Sequence, residues 1–408
     1  MQHGAADVPN AQGPPVIIYR TVPHYRRALY DGLYARLGAL VVGPQHDEGH
    51  ETFMAPVDQA PWLRRYPFQA KRGLLPAAPI RSILEDLNPR LIVAEAGLRS
   101  PILWDLLTRR RLRKGPPVVL WGHGWQMGRG FEGAVNMLRQ YGRIAPFKAA
   151  DGHIVYSHEG ATFLRRHLKT TRIWKATNTL KVKTDADDIA QSIEATRSVT
   201  RPFTLLFCGR MTPDKRVPDL VRAFQLVLCH VADAKLILIG DGVDRAVVQR
   251  VAGSLWQRAI VWHGQEYDAQ TLSRHYSNAD VAVSAGSVGL SVNEALGHAL
   301  PFVLLERHPK HGPFHHPEHV HVADGVTGLR VKAAGCSGQP NQTGTHKGHT
   351  DKAGRIEALA QALISLHRDR NALALMRQRS IDCYRSNLSM ERYVGEFANA
   401  LQQAAVQR

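Results

Sequence analysis

The chain has 408 residues, and its hydrophobic content of 44% is that of an ordinary globular protein with room for two or three domains. The chain carries a net charge of +17, and residues 1–180 hold 25 of the 52 Lys and Arg but only 13 of the 35 Asp and Glu. This excess of positive charge in the first half predicts an anionic partner for it: a membrane surface, a nucleic acid or a phosphorylated substrate. The alternative is that the charge serves solubility alone. No apolar run approaches the ~18 residues of a membrane-spanning helix, and four cysteines without a CxxC pair indicate reduced thiols in a cytosolic protein rather than a disulfide framework.

The first half alternates short apolar runs with amphipathic stretches. Residues 1–13 lack the basic lead and apolar core of a secretory signal and are predicted to be a flexible tail. The predicted strands are 14–19, 37–43, 90–96, 116–122 and 152–157, with helices at 26–37 and 80–87. Such alternation predicts a parallel sheet covered on both faces, so residues 14–182 are predicted to form one domain.

A second series of the same kind follows a polar, turn-rich linker predicted at 183–202. Its predicted strands are 203–209, 234–242, 259–264, 279–286 and 300–306, with helices at 217–231 and 245–255. Residues 203–380 are predicted to form the second domain, with a flexible Gly-rich loop at 333–354, and residues 381–408 end in an amphipathic helix. The fold class is therefore predicted as α/β, with two facing doubly wound domains and a ligand-binding cleft between them.

The stretch "FCGRMTPDK" places two cations just past a strand end. The apolar run at 203–208 stops at Gly209, Arg210 follows at once, and Lys215 comes five residues later. Arg offers a planar fork of donors and Lys a compact charge, so the pair suits a diphosphate. The alternative is a solvated loop with two surface cations.

The stretch "SAGSVGLSVNEALG" predicts a tight turn between a strand and a helix. Gly286 and Gly289 flank the turn, and a helix is predicted to begin near Leu290. Free backbone N–H groups there favour an anion. Glu294, one turn into the helix, suits ribose hydroxyls, although an exposed surface glutamate is the alternative.

Together, the two stretches resemble the nucleotide-binding domain of the retaining GT-B glycosyltransferases of the family 4 type. The resemblance covers roughly 200–332, and its matching residues are Gly209-Arg210 with Lys215, 236–242, 275–286, Gly289-Leu290, Glu294-Ala295, Gly297, Pro301, Pro317-Glu318 and 324–328. The first half is similar to the acceptor domain of a bacterial polysaccharide-assembly subgroup at 22–33, 120–125, 156–161 and 177–180. The final helix resembles the segment that crosses back to the first domain in this fold.

This resemblance implies a nucleoside-diphosphate-sugar donor and roles for individual residues. The implied catalytic residues are Arg210, Lys215 and His123, and the implied donor-binding residues are Gly209, Gly286, Gly289, Leu290, Ser291 and Glu294. The diphosphate would be held by Arg210 and Lys215 and the ribose by Glu294, while His123 would lie near the transferred sugar. No metal and no other cofactor is implied, because Arg and Lys would neutralise the leaving diphosphate.

Two departures from the family pattern concern sugar and acceptor recognition. The family has a second glutamate eight residues before the position of Glu294, where it contacts the donor sugar, and this chain has Gly286 there. The first strand–helix loop lacks the usual glycine pair. His24, Tyr25 and Arg26 stand there instead and are candidates for phosphate or acceptor-side contacts, with an ordinary strand-end turn as the alternative. Glu159 is a further acceptor-side candidate.

Two further runs carry unusual composition. "RHPKHGPFHHPEHVH" holds six histidines, but its irregular, Pro-rich spacing and its match to a family loop favour a polar loop over a metal site. In "RRRLRK", the residues Arg109, Arg110, Arg111, Arg113 and Lys114 either cap a helix or adsorb to an anionic leaflet.

The sequence thus predicts a cytoplasmic glycosyltransferase, peripheral on the inner face of the cell membrane. It would transfer a sugar with retention of configuration to a glycan or lipid-linked acceptor in surface polysaccharide or glycolipid synthesis, and would not bind nucleic acid. The alternatives are a GT-B-fold nucleotide-sugar epimerase and a basic nucleic-acid-binding protein, whose cations should form a stripe with interleaved aromatic residues.

Overall fold

The computed structural model describes residues 13–19, 22–46, 59–69, 77–97, 100–112, 115–124, 142, 144–169, 172–197, 201–307, 312–332 and 352–406. These residues form two compact units. The first unit contains the described residues up to Thr177 together with those from Met390 onward, and the second runs from Asn178 to Ser389. The tail at 1–12 and most of the predicted loop at 333–354 lie outside the described residues.

In its described part, the first unit is built on a seven-stranded parallel sheet in the order β3-β2-β1-β4-β5-β6-β7. The strands are β1 Gly13–Ile18, β2 Leu40–His46, β3 Leu63–Gln69, β4 Pro89–Glu95, β5 Val118–Gly122, β6 Gly152–Val155 and β7 Ile173–Lys175. The helices that follow strands are α1 Arg27–Leu37, α2 Ala77–Leu87, α3 Pro101–Arg111 and α4 His158–His167, with a short helical segment at 144–149.

Strand β1 shows why the apolar runs are continuous. Ile17 packs in one core cluster with residues of α1 and the last helix of the chain. Val16 and Ile18 point to the opposite face and pack with residues of α2 and α3. Because successive side chains alternate between two covered faces, every position of a central strand must be apolar.

The second unit has a six-stranded parallel sheet among its described residues, in the order β10-β9-β8-β11-β12-β13. The strands are β8 Thr204–Cys208, β9 Lys235–Ile239, β10 Ile260–Gly264, β11 Val281–Ser284, β12 Phe302–Leu305 and β13 Gly328–Val331. The helices are α5 Ala186–Arg197, α6 Val217–Leu228, α7 Arg245–Ala252, α8 Ala269–Asn278, α9 Ser291–Gly297, α10 Lys352–Arg368 and α11 Arg370–Cys383. Leu205 and Leu206 on β8 again face two separate core clusters.

The prediction of two doubly wound parallel sheets is confirmed, and the differences lie mainly at sheet edges. Strands β3, β7 and β13 were not predicted, and each lies at the edge of its sheet. The stretch predicted as a linker contains α5, whose Ile189 is buried in the second unit. The last helix, α12 (Met390–Val406), packs against α1 of the first unit.

No helix among the described residues is both long and apolar enough to cross a membrane. Cys208, Cys229 and Cys383 are free thiols, and Cys336 lies outside the described residues.

Candidate active site

The loop that follows β8 carries the two predicted cations. Arg210 is exposed just past the strand end, and Lys215 ends a short 3-10 turn, Pro213–Lys215, with its side chain only 14% exposed. Burial lowers the pKa of Lys215, Asp214 and Glu318 oppose that shift, and the positive charge of Arg210 adds to it. The two cations are therefore close enough to interact, in a half-buried site at the carboxyl edge of the sheet.

The loop after β11 is joined to the Lys215 loop by two hydrogen bonds. The Lys215 Nζ atom donates to the carbonyl oxygen of Ser287 at 2.7 Å, and the Ser287 N–H donates to the carbonyl oxygen of Asp214 at 2.8 Å. A Cβ atom at Gly286 would lie only 2.3 Å from the carbonyl oxygens of Asp214 and Lys215. Position 286 therefore admits no side chain in this arrangement, because the backbone that carries Lys215 occupies the space.

Glu294 lies on α9 in a partly buried polar cluster. Its Oε2 atom accepts a hydrogen bond of 3.3 Å from the Tyr276 hydroxyl, and the Tyr276 ring stacks on His298 with 4.8 Å between ring centroids. Burial raises the pKa of Glu294 to about 7, although the Tyr276 hydroxyl opposes the shift. The carboxylate thus ionises near neutral pH, where it would accept hydrogen bonds from ligand hydroxyls.

A third loop, 312–321, brings His316 and Glu318 to the same region. The His316 N–H donates to the carbonyl oxygen of Val288 at 2.9 Å, and the imidazole lies 3.7 Å from where a Cβ atom of Gly289 would stand. Glu318 is 3% exposed and accepts a hydrogen bond of 2.8 Å from Asn178 Nδ2.

His316 was predicted only as part of a histidine-rich loop, and Tyr276 was not predicted as a site residue. No fixed spacing links either residue to Lys215 or Glu294, and only the sheet topology brings them together. The described part of the histidine run gives no metal site, since no group of three or more His, Cys, Asp or Glu among the described residues could hold a metal ion. His308 and His311 lie outside those residues.

In the first unit, the 3-10 turn His24–Arg26 separates its three predicted residues. His24 is exposed and Tyr25 is half-buried, whereas Arg26 is only 5% exposed. The Arg26 guanidinium donates to the Tyr156 hydroxyl at 3.0 Å and lies 4.3 Å from the centroid of the Trp121 ring. Arg26 therefore serves the packing of the unit, with its charge enclosed among aromatic rings.

His123 and Glu159 lie past the carboxyl ends of β5 and β6. The His123 ring is 4.9 Å from the ring of Tyr156, measured between centroids. Glu159 is exposed in the first turn of α4, a helix that Ser157 caps by accepting a hydrogen bond from the Gly160 N–H. A carboxylate in the first turn also stabilises the helix dipole, so Glu159 has a structural explanation of its own.

The basic run at 109–114 is partly neutralised within the fold. Arg110 makes a two-pronged ion pair with Asp151, with nitrogen–oxygen distances of 2.9–3.0 Å, and Arg109 contacts Asp105 at 3.4 Å. Arg111 is exposed at the end of α3, next to Leu112, which is 62% exposed. Arg113 and Lys114 lie outside the described residues.

One protein-family model matches most of the second unit. Residues 202–369, which include β8 to β13, match the family model described as glycosyl transferases group 1. This range contains every predicted donor-site residue, from Gly209 to Glu294. None of the curated proteins matches the sequence of the chain.

Solved structures share the architecture of the whole chain. Sucrose-phosphate synthase from Thermosynechococcus elongatus is similar with a TM-score of 0.64 and 18% identity, covering 96% of this chain and 99% of that one. HepE from Anabaena, in complex with UDP and glucose, has a TM-score of 0.63 and 15% identity over 96% and 100%. The pneumococcal O-GlcNAc transferase GtfA, in complex with UDP and GlcNAc, has a TM-score of 0.60 and 16% identity; the match covers 81% of this chain, which spans 60% of the length of GtfA.

Because the identities are below 20%, these similarities establish the fold alone. The fold is GT-B, with two Rossmann-like units. The predicted α/β fold class with two doubly wound domains is therefore confirmed. The family match of the second unit, taken with these neighbours, supports a glycosyltransferase enzyme.

Proposed function

Because the chain has the GT-B fold and its second unit carries a glycosyl transferases group 1 domain, we propose that it transfers a sugar from a nucleoside-diphosphate sugar to a glycan or lipid-linked acceptor, with retention of configuration, in surface polysaccharide or glycolipid synthesis. The observation that carries the proposal is the pair Arg210 and Lys215 on the β8 loop. Lys215 is fixed against the β11 loop by its hydrogen bond to Ser287.

The leaving diphosphate binds at Arg210 and Lys215 in this proposal. An ammonium group has three donors, and Lys215 uses one on the Ser287 carbonyl oxygen, which orients the other two. As the bond to the sugar breaks, negative charge builds on the β-phosphate, and cations already in place stabilise it without rearrangement. Gly289, Leu290 and Ser291 supply backbone groups to the phosphates, and Gly209 lets the chain turn beside them.

Glu294 binds the ribose of the donor. Its carboxylate can accept hydrogen bonds from two hydroxyl groups, and Tyr276 holds one of its oxygens in place. The burial that raises the Glu294 pKa also strengthens each hydrogen bond to a bound ligand, since the surroundings screen it weakly.

The first unit holds the acceptor, with His123 near the transferred sugar and His24, Tyr25 and Glu159 on the acceptor side. Arg26 supports this part from within the core. Retention follows from attack on the same face of the sugar as the leaving group, with the acceptor held in position. NMR assignment of the anomeric configuration of the product tests this step, since an inverted product would exclude it.

The protein works in the cytoplasm at an anionic membrane surface, with no nucleic acid bound and no metal needed. Arg111, Arg113 and Lys114 contact the lipid headgroups, because Arg109 and Arg110 pair with carboxylates. Flotation with phosphatidylglycerol vesicles should recover the wild type, and replacing the three cations by Ser should abolish recovery. Equal recovery of both proteins would contradict the membrane contact.

The donor site is tested by thermal unfolding with UDP, GDP, ADP and CMP. At one hundred times Kd, a ligand stabilises by about 2.7 kcal/mol, or roughly 5–11 °C for a unit of this size. We expect one nucleoside diphosphate to give such a shift, Lys215→Ala to lose it, and Lys235→Ala, an exposed lysine at the start of β9, to keep it. If no nucleotide shifts Tm and the protein is retained on DNA in a salt-sensitive way, the nucleic-acid-binding alternative is favoured. If the protein converts a nucleotide sugar to an epimer without transferring the sugar, the epimerase alternative is favoured.

A further inference from the structure

Position 286 cannot contribute a side chain to sugar recognition in this arrangement. The Gly286 backbone lies against the carbonyl groups of Asp214 and Lys215, at distances that leave no room for a Cβ atom. The two hydrogen bonds that Ser287 makes to Asp214 and Lys215 hold this contact. The carboxylate that the resemblance places at 286 is therefore replaced by backbone, and any side chain that selects the sugar must come from another element.

The third loop supplies a side chain at this place. The His316 N–H donates to the carbonyl oxygen of Val288, and its imidazole packs against Gly289, 3.7 Å from where a Cβ atom of that residue would stand. The residue is half-buried, and its ring interacts electrostatically with Lys215, Asp214 and Arg210. His316 thus lies beside the turn that begins α9, near enough to both cations to interact with them electrostatically.

The chemistry of the imidazole differs from that of its neighbours. Arg210 and Lys215 can only donate hydrogen bonds, which suits phosphate oxygens. Burial and the charge of Lys215 lower the pKa of His316 to about 4, so the ring is neutral at neutral pH and offers one donor and one acceptor. A hydroxyl group, which also donates and accepts, is its matching partner.

We propose that His316 contacts a hydroxyl group of the transferred sugar and is a specificity-determining residue for the donor. The inference rests on the proposed function, and it assigns the sugar contact to the loop 312–321 instead of to the loop that holds Gly286. The residue recognises the sugar, while Arg210 and Lys215 hold the diphosphate.

The test compares a nucleoside diphosphate with its nucleotide sugar. Isothermal titration with UDP and UDP-glucose, or with the matching pair if another base stabilises the protein, gives Kd for the wild type, His316→Ala, His316→Asn and Lys215→Ala. We expect His316→Ala to keep the diphosphate affinity within about twofold and to weaken the nucleotide sugar about tenfold, the effect of one lost hydrogen bond. His316→Asn, which retains a donor and an acceptor, should recover part of the loss.

Lys215→Ala separates this inference from the proposed function, because it should weaken both ligands alike. The sugar contact would be overturned if His316→Ala bound the nucleotide sugar as tightly as the wild type, or if its affinity for both ligands fell equally. Neither result would refute the proposed donor site, because the wild type would still bind both ligands. No binding of either ligand to the wild type would instead refute the proposed function. Retained diphosphate binding shows that the variant is folded.

Discussion

Replacing Glu294 by Gln should stabilise the ligand-free protein at neutral and alkaline pH. Burial raises the Glu294 pKa from 4.5 to about 7, so the folded protein resists ionisation of this carboxyl group. Each pKa unit corresponds to 1.36 kcal/mol, and the shift therefore costs about 3 kcal/mol once the group is ionised in both states. For a unit of this size, that is roughly 6–12 °C in Tm.

The pH dependence distinguishes this cause from a simple change in packing. Below pH 4.5 Glu294 is protonated in both the folded and the unfolded state, so the charge makes no difference. Between pH 4.5 and about 7 only the unfolded chain ionises, and the wild type loses stability as the pH rises. Above about pH 7 the loss is complete and the difference stays constant.

Thermal unfolding of the wild type and Glu294→Gln, without nucleotide, measures this difference from pH 4.5 to 8.5. Glu357→Gln, at an exposed position of α10, is the control and should follow the wild type at every pH. A difference independent of pH, or a less stable Glu294→Gln protein at pH 8, would refute the reasoning. The same variant should bind the nucleoside diphosphate more weakly, since an amide accepts fewer hydrogen bonds than a carboxylate.

Three further changes test packing that the structure makes specific. Gly286→Ala should cost about 1–3 kcal/mol and weaken nucleotide binding, because its Cβ atom displaces the backbone at 214–215. In Gly97→Ala the added Cβ atom meets only the Ser100 Cβ atom, at 4.0 Å, so this control should change neither the free energy of unfolding nor binding. Arg26→Ala should lower the free energy of unfolding, measured in urea, by about 2–3 kcal/mol, because it removes the stacking on Trp121 and the hydrogen bond to Tyr156. Arg27→Ala is the control: the Arg27 side chain is 58% exposed, and the change should be less than about 0.5 kcal/mol. Asp280→Ala should cost about 3–5 kcal/mol in the same assay, because the buried Arg370 loses its ion pair and the buried Arg377 loses a nearby negative charge. An equal loss from Asp233→Ala, at an exposed position, would contradict that explanation.

The sequence by itself determined the central strands and most helices. Runs such as those of β1 and β8 are covered on both faces, so they are continuously apolar and stand out against the helices that follow. The edge strands were not predicted, because they lack such continuous apolar runs. β3 (LRRYPFQ) and β13 (GLRV) pair on one side only and tolerate charged residues, and β7 has three residues.

The position of Arg210 and Lys215 at the carboxyl edge could also be predicted from the sequence, because both residues follow the end of β8 within seven positions. Their partners could not. Ser287 and His316 lie 72 and 101 positions after Lys215 in the chain, and only the parallel order β8-β11-β12 brings their loops to one edge.

Only the tertiary structure decided what two unusual residues do. From the sequence, Gly286 was only a position at which the expected glutamate is missing. In the structure its backbone packs against the carbonyl groups of Asp214 and Lys215, so closely that no side chain fits. Arg26 was predicted as a candidate for ligand contacts, and Trp121 of β5 and Tyr156, just past the end of β6, contact its buried guanidinium. The physical reason is the same in both cases: residue identity reports local chemistry, whereas burial and close approach are set by segments distant in the chain.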